Sequence, residues 1–404
     1  MNTSLQLSSA DASGDLTRLR AWVAARGDAA IGTLERHLAR PRYRPAFTRV
    51  AERDGQLAGY ALIGHQRLRL GTATLQAGNI AALDVGSTQD DPSVFAALLG
   101  DCLRVLVEEG LALATLHGSV ANYGSFGFAE YLFKSVAKCW NLDHERHDLL
   151  RPVAEADLDD LAALYDASYN QLPLTEIRTA PDWRYWLAGD QAVWGLEDAR
   201  GRLVAYGAMK ARAAADATAT LDVHEAAAAD AGAARALCAA LLGHSQNQGC
   251  EQIRMRLSPW HLVAQAALQL WSQISLTASK SSNHTPLAGV VDLPLLLEAL
   301  VPEFERRLAH SRYAGWSGNL RLEIDTERIT LAFADGGATV IDGSRPADLR
   351  LRQITLPALA QLCLGYRVAA DLRTTGGLAC DDSALGLLDA LFPAILAVGT
   401  SPTG

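Results

Sequence analysis

One order of secondary structure is predicted twice in this chain, and that repetition limits the folds open to it. Each copy has, in order, a helix, a two-stranded hairpin, one or two further strands, a second helix and a last strand. In the first copy these are residues 16–39, 46–52 with 57–64, 72–75 and 80–85, 94–109 and 111–116. In the second they are 157–169, 193–197 with 203–209, 218–223, 232–244 and 252–257. The copies lie roughly 130–140 residues apart, which indicates a duplicated domain.

The last third of the chain has a different pattern. A polar stretch at 279–286 precedes a helix to residue 308, three short strands that form a meander, and two short helices. Helices at both ends of a β-meander predict a smaller α+β domain. The predicted fold class is therefore α/β (α+β), in three sequential domains at 1–145, 146–284 and 285–404. A chain of 404 residues is long enough for three cores.

Composition excludes several classes of function. The formal net charge is −9 and no basic run is present, which argues against a nucleic-acid-binding protein. The first 15 residues lack the basic segment and the apolar segment that a signal peptide has. No window of the sequence contains the run of about 20 apolar residues that is needed to cross a membrane. Six scattered cysteines with no Cys-x-x-Cys pair indicate reduced, buried thiols. We expect a cytoplasmic protein with no membrane partner.

Residues 114–128, Ala-Thr-Leu-His-Gly-Ser-Val-Ala-Asn-Tyr-Gly-Ser-Phe-Gly-Phe, carry a recognisable pattern. The chain here resembles the Gcn5-related N-acetyltransferases (GNAT), in particular the enhanced intracellular survival (Eis) branch, in which a strand ends in Leu-His and a Tyr-Gly-x-Phe-Gly-aromatic turn follows. The last third is similar too, at Val291-Asp292-Leu293-Pro294, at 359–366 and at Leu391-Phe392-Pro393. The resemblance covers the whole chain. It implies two tandem GNAT-fold domains followed by a sterol-carrier-protein-like (SCP2-like) domain.

The resemblance also implies a reaction and its residues. In the family the first domain binds acetyl-CoA and acetylates an amine, here a small-molecule amine. Tyr123 would be the general acid that protonates the departing thiolate, with His117 beside the site and the C-terminal carboxylate of Gly404 reaching it. The strand residues Leu83, Asp84 and Val85, with Ser93 at the following helix, would bind the cofactor. Relatives are often oligomeric, so a homo-oligomer is left open.

The chain departs from the family where the cofactor's pyrophosphate should bind. Active relatives have Arg-Arg-x-Gly at this helix start, whereas the present chain has Asp90, Asp91 and Pro92. Two carboxylates and a residue without an N–H donor make a good helix start but a poor phosphate site. The sequence therefore predicts weak acetyl-CoA binding. The chain also ends in Gly404 rather than in an aromatic residue.

The second domain has a dense aromatic group whose role the sequence leaves open. Trp183, Trp186 and Tyr169 form either core packing or a wall that binds substrate. The segment 143–147, Asp-His-Glu-Arg-His, is interpreted as a solvated linker, and no metal site is predicted.

Three hypotheses on function therefore remain. The first is an N-acyltransferase that acetylates a small amine through a degenerate CoA site. The second is a GNAT-fold enzyme repurposed to act without acetyl-CoA. The third is a non-catalytic protein that binds a small molecule.

Overall fold

A computed structural model describes residues 5–10, 16–85, 92–140, 149–170, 172–214, 217–279, 284–324 and 327–395. The chain forms two compact units. The first comprises Met1–Tyr131 together with Ser282–Ile395, and the second comprises Leu132–Ser281 with the last residues. The mixed α/β class predicted from the sequence is confirmed. Within the described ranges, no helix combines the length and the apolar character needed to span a membrane.

The first part of the chain folds into six strands and four helices. The strands are β1 (Leu5–Ser9), β2 (Thr48–Arg53), β3 (Gln56–Leu70), β4 (Ala73–Val85), β5 (Leu113–Gly118) and β6 (Ala129–Glu130). The helices are α1 (Leu16–Ala24), α2 (Asp28–Leu38), α3 (Pro92–Glu108) and α4 (Val120–Tyr123). The helix predicted at 16–39 is thus two helices, because Gly27 adopts φ +111°, a conformation that ends a helix and that glycine tolerates.

The middle of the chain adds eight strands and four helices. The strands are β7 (Lys134–Trp140), β8 (Arg151–Pro152), β9 (Thr175–Glu176), β10 (Ala192–Glu197), β11 (Leu203–Ala214), β12 (Ala217–Ala228), β13 (Gln252–Met255) and β14 (Ile274–Ser279). The helices are α5 (Leu158–Tyr169), α6 (Ala180–Leu187), α7 (Ala231–Asn247) and α8 (Leu262–Leu270). One apolar cluster packs α7 and α8 on one sheet face, and a second packs α5 and α6 on the other.

The last part has six strands and four helices. The strands are β15 (Thr285–Val290), β16 (Gly318–Ile324), β17 (Glu327–Ala334), β18 (Gly337–Asp342), β19 (Leu349–Arg352) and β20 (Ala379–Cys380). The helices are α9 (Leu293–Ala309), α10 (Leu356–Cys363), α11 (Ala369–Thr374) and α12 (Asp382–Leu391). The predicted meander is β16–β18, and β19 joins it in parallel with β16, so that the sheet order is β18-β17-β16-β19-β20.

The two large sheets have the same topology, with one strand exchanged. Their orders are β1-β2-β3-β4-β5-β15-β6 and β8-β10-β11-β12-β13-β7-β14. In each sheet one pair of central strands is parallel, β4 with β5 and β12 with β13. The strand second from the end comes from elsewhere in the chain: β15 lies between β5 and β6, and β7 lies between β13 and β14.

The exchange corrects the predicted domain limits at 145 and 284. Strand β7, assigned to the first domain, pairs in the second sheet, and β15, assigned to the third domain, pairs in the first. The partner of each strand is set by long-range hydrogen bonds.

A buried carboxylate attaches the sterol-carrier-like part to the first sheet. Glu303 of α9 accepts hydrogen bonds from the backbone N–H (2.9 Å) and hydroxyl (3.1 Å) of Thr72 in the turn between β3 and β4. Arg306 and Arg307 bind the same carboxylate at 2.6 Å and 2.7 Å. A Cβ at Gly71 would lie 2.1 Å from the Glu303 carboxylate, so this turn accepts only glycine there.

A second polar contact lies at the other edge of the same sheet. The Tyr366 hydroxyl lies 3.0 Å from the Glu130 carboxylate of β6, and the Gln361 side chain donates to the Glu130 carbonyl at 3.1 Å. Strand β15 leads directly into α9, so covalent and polar links together hold this part of the unit.

Replacing Glu303 by Gln should destabilise the first unit by about 3 kcal/mol, because the buried Arg307 then loses its counter-charge and the exposed Arg306 loses its partner. Burial alone would raise the pKa of Glu303, but Arg306, the Thr72 N–H and Arg307 together lower it to about 2. A carboxylate with a lowered pKa stabilises the fold above its unfolded pKa of about 4.3, and that contribution disappears as the pH falls towards 2. Denaturant unfolding at pH 7 and at pH 2.5 measures both effects.

The control is Glu298→Gln, which removes an exposed carboxylate from the same helix. An equal loss of stability in both variants at pH 7 would contradict the role given to Glu303. The role would also be contradicted if the wild type remained more stable than Glu303→Gln by the same amount at pH 2.5.

Candidate functional site

Strands β4 and β5 separate in the middle of the first sheet. Their parallel pairing runs from Ala77 opposite Leu113 to Ile80 opposite Leu116 and then stops, while β4 continues to Val85. Ala81 is an extra, exposed residue, because Ile80 and Ala82 face consecutive residues of β3. Such a β-bulge turns the strand and ends regular pairing.

The edge of β4 that faces away from β3 is consequently open after Ile80. Residues 81–85 keep their pairing with β3 on one side. No hydrogen bond from a described residue closes the other side. This edge offers backbone donors and acceptors to an extended ligand, in the way that a sheet edge accepts an added strand.

Tyr123 lies at the end of the neighbouring strand. Helix α4 begins at its N-cap Ser119, whose hydroxyl accepts from the Ala121 N–H at 3.1 Å. The Tyr123 ring packs against Phe95 (5.3 Å between centroids) and Phe128 (6.0 Å). It also covers Gly118, where a Cβ would lie 2.4 Å from the Tyr123 ring. The Tyr-Gly-x-Phe-Gly turn therefore fixes the position of one phenol.

The phenol is held in its neutral form. Burial, and then the nearby Cys102, raise the pKa of Tyr123 above its ordinary value of 10. At neutral pH the group can therefore donate a proton but cannot act as a base. The described residues offer no hydrogen-bond partner to its hydroxyl.

The structure separates the predicted cofactor residues between the two faces of β4. Leu83 and Val85 pack towards α3 beside Val94 and Leu98. Asp84 lies on the opposite face, where its carboxylate pairs with Arg26 at 3.1 Å. Only the backbone of Asp84 is therefore available to the open edge.

The remaining predicted site residues have different outcomes. Ser93, in the first turn of α3, accepts from Arg53 at 3.0 Å. His117 is half-buried on β5, one residue after the pairing with β4 ends, and faces Pro286 of β15. Asp90, Asp91 and Gly404 lie outside the described residues, and Pro92 is the first residue of α3.

Sequence reasoning missed a polar group just before the bulge. Asn79 is buried and donates to the Thr115 hydroxyl at 3.2 Å, but no described residue bonds to its Oδ1 atom. Arg40 lies directly over Gly64, which is opposite Asn79 in the sheet, and its buried Nε atom also lacks a partner. Buried polar atoms are rarely left unpaired. Only the sheet register brings these residues together, so no sequence motif could have indicated them.

The second sheet repeats the separation at the equivalent place. Pairing of β12 with β13 ends at Val223 opposite Met255, and His224 is the extra residue of a bulge. The bulges at Ala81 and His224 thus occupy the same topological position. This correspondence supports the duplication predicted from the sequence.

Side chains of α5 close the edge in the second sheet. The Tyr169 hydroxyl bonds to the carbonyl (3.0 Å) and N–H (3.4 Å) of Ala226, and the Ser168 hydroxyl does the same for Ala228 (3.4 and 3.3 Å). These are the positions that Leu83 and Val85 occupy in β4. The backbone groups of Ala226 and Ala228 are therefore not available to an added ligand strand, and among the described residues the open edge lies in the first unit.

The aromatic group of the second unit surrounds a cation of the protein itself. The Arg178 guanidinium lies 4.6 Å from the Tyr165 ring, 4.7 Å from Trp183 and 5.0 Å from Trp186. It makes two hydrogen bonds of 2.9 and 2.7 Å to Glu225. The cage is thus filled from within.

Of the two alternatives that the sequence leaves open for Trp183, Trp186 and Tyr169, this arrangement favours core packing over a substrate wall for Trp183 and Tyr169. Trp183 and Tyr169 are buried, and Tyr169 is engaged with the backbone of β12. Only Trp186 is half-buried, and a substrate contact there stays a prediction. In the described part of the chain, no three His, Cys, Asp or Glu side chains are grouped as a metal site would require.

Two segments match known protein families. Residues 18–131 match the acetyltransferase (GNAT) domain, and residues 317–397 match the sterol carrier protein domain. No curated protein sequence matches the chain. The chain thus has a GNAT acetyltransferase domain and a C-terminal sterol carrier protein domain, as the resemblance implied.

Solved structures share the fold over nearly the whole length. A GCN5-related N-acetyltransferase from Anabaena variabilis ATCC 29413 has a TM-score of 0.73 at 15% identity, covering 96% of this chain and 97% of that one. A probable N-acyltransferase from Enterococcus faecalis V583 has 0.72 at 17% identity, covering 98% and 97%. Eis1 from Mycobacterium abscessus has 0.63 at 16% identity, covering 96% and 97%. These structures share the overall fold of this chain.

Replacing Gly118 by Ala should displace the Tyr123 ring, because the added methyl group would lie 2.4 Å from it. Overpacking of this kind typically costs about 1–3 kcal/mol. Gly100→Ala is the matched control, since no atom lies within 4 Å of its Cβ and it sits in α3, where Ala stabilises a helix by about 0.5–1 kcal/mol. The midpoint of thermal unfolding should fall in Gly118→Ala and rise in Gly100→Ala. A Gly118→Ala variant as stable as the wild type would contradict the packing of Tyr123 on Gly118.

Proposed function

We propose that this protein is an N-acyltransferase that transfers an acyl group from acyl-CoA to a small amine, using the site of its N-terminal GNAT domain. The observation that supports it is the open edge of β4 at 81–85 beside the protonated phenol of Tyr123. The second GNAT-fold unit takes no part in the chemistry, because Tyr169 and Ser168 close its equivalent edge.

The open edge suits the pantetheine arm of the cofactor. That arm carries two amides, which need the alternating N–H and C=O groups that an unpaired strand presents. The backbone of residues 81–85 would hold it, with the bulge at Ala81 directing an N–H towards the acyl oxygen. When bound, acyl-CoA supplies an acyl group activated as a thioester.

Tyr123 supplies the proton of the reaction. A phenol with a pKa above 10 keeps its proton at neutral pH and can give it to a thiolate only when the two are in contact. The aromatic contacts with Phe95 and Phe128 restrict the ring and thereby aim the hydroxyl.

The nucleotide end of the cofactor is expected to bind weakly. Asp90 and Asp91 replace the family's arginines, and Pro92 lacks an N–H, so a bound pyrophosphate meets like charge. These residues favour a second candidate, in which the open edge binds a pantetheine-like or other amide ligand without transfer. The acidic loop is the observation behind that alternative.

Acetyl-CoA titrated by calorimetry tests the proposal first. We expect saturable binding in the millimolar range or tighter, and tighter binding in the Asp90→Asn, Asp91→Asn double variant, because like charge is removed. Absence of binding by either protein at millimolar ligand would exclude the acyltransferase and leave the binding-protein alternative.

Tyr123→Phe should lower turnover about 100-fold while changing acetyl-CoA affinity little, because general acid catalysis contributes about that factor. Tyr313→Phe, in the sterol-carrier-like part, serves as the control. Wild-type turnover should not decrease as the pH rises to 10, because the raised pKa of Tyr123 keeps its phenol protonated. Above pH 10 turnover should decrease. An unchanged rate in Tyr123→Phe would remove this residue from the mechanism.

A further inference from the structure

A transverse row of charged residues crosses four strands of the second sheet. Lys210 of β11 lies opposite Asp222 of β12, Asp222 opposite Arg254 of β13, and Arg254 opposite Lys138 of β7. Directly opposed residues point to the same face of a sheet. Their neighbours along the strands belong to the apolar cluster under α7 and α8, so the charged row faces the other way.

Asp222, the one carboxylate of the row, is fully buried and contacts three arginines. Arg254 makes two hydrogen bonds to Asp222, of which the Nη2 bond is 2.6 Å. Arg212 adds a contact of 2.8 Å, and Arg256 reaches to 3.8 Å. One arginine already balances the charge of Asp222, so Arg212 and Arg256 bring positive charge in excess of this carboxylate.

The row has a large surplus of positive charge. Five cationic side chains surround one carboxylate, and neither lysine makes an ion pair with any described residue. This surplus occurs on a chain with net charge −9. The arginines remain accessible: Arg212, Arg254 and Arg256 are 56%, 30% and 38% exposed.

The pKa values of two groups on this face, Arg256 and His224, respond to the same positive charge. Burial lowers the pKa of Arg256, and the like charges of Arg254 and Arg212 lower it further. The pKa of His224, the bulge residue, is lowered by burial and then by Arg256, with Asp222 the one acid that opposes the shift. Like charges held together at a cost to the fold are typical of sites that bind an anion.

We propose that this face, formed by Lys138, Lys210, Arg212, Arg254 and Arg256, is a binding site for a small ligand with several phosphate groups. Arginine forks match phosphate oxygens in pairs, which favours phosphate over a simple anion. The row spans three strand spacings, or about 14 Å, which fits a chain of phosphates rather than one. The closed edge at Ala226 and Ala228 lies beyond the row, so this site is separate from the GNAT cofactor position.

Calorimetric titration with tripolyphosphate tests the site, at constant ionic strength and with chloride as the only other anion. We expect binding tighter than millimolar that weakens as salt rises. The double variant Arg212→Gln, Arg256→Gln should bind at least about tenfold more weakly, because two charge-assisted contacts are lost. The control Arg200→Gln, Arg202→Gln removes the same charge at the far end of β11 and should bind as wild type does.

The variant Lys138→Gln, Lys210→Gln protects the test against misfolding, since these lysines have no ion pair in the described structure to lose. It should also weaken binding several-fold while leaving thermal unfolding unchanged. ATP is the second probe: tighter binding than tripolyphosphate assigns the site to a nucleotide, and equal binding assigns it to the phosphate chain itself. Either result supports the site.

No saturable binding of either probe at millimolar concentration, or equal binding by the row variants and the control, would overturn the proposal. Acetyl-CoA also carries several phosphate groups, so it is titrated into the row variants as well. Acetyl-CoA binding that the row variants retain belongs to the first unit, and binding that they lose belongs to the row, so the outcome separates this proposal from the acyltransferase proposal.

Discussion

The hydrogen bonding of β15 between β5 and β6 is the constraint on which the first unit depends. Strand β5 carries His117 and leads into the Tyr123 turn, and its outer edge is completed only by β15. The same strand continues into α9, whose Glu303 holds the β3–β4 turn. One segment thus completes the edge of the strand that leads to the candidate site and ties the sterol-carrier-like part to the first sheet.

The two GNAT-fold units show how one scaffold diverges at the level of single hydrogen bonds. Both sheets separate after the same bulge, and in both the free strand must satisfy its backbone groups. In the second unit α5 supplies the hydroxyls of Ser168 and Tyr169, so the edge becomes part of the core. In the first unit no described side chain does so, and the edge remains available to a ligand. The difference between the two edges therefore rests on a tyrosine and a serine of a neighbouring helix.

Much of the architecture could be predicted from the sequence, because it rests on local patterns. Apolar periodicity and turns such as Asp54-Gly55 indicated most of the helices and hairpins, and the Tyr-Gly-x-Phe-Gly turn located Tyr123. The exchanged strands could not be predicted, since β7 and β15 are ordinary short strands whose partners lie far away in sequence. The environment of the Asn79 Oδ1 atom and the row from Lys210 to Lys138 could not be predicted either, because sheet register rather than sequence spacing brings these residues together.

The strand exchange also dictates an order of events on the ribosome. The first sheet cannot be completed when residue 131 has emerged, because its missing strand is encoded beyond residue 284. Until then β5 and β6 present unpaired edges, which are prone to pair with other chains. The second sheet, by contrast, already has β7 when its own strands are made. Synthesis from the N-terminus therefore closes the second sheet before the first, and the candidate catalytic unit is among the last parts of the nascent protein to reach its native state.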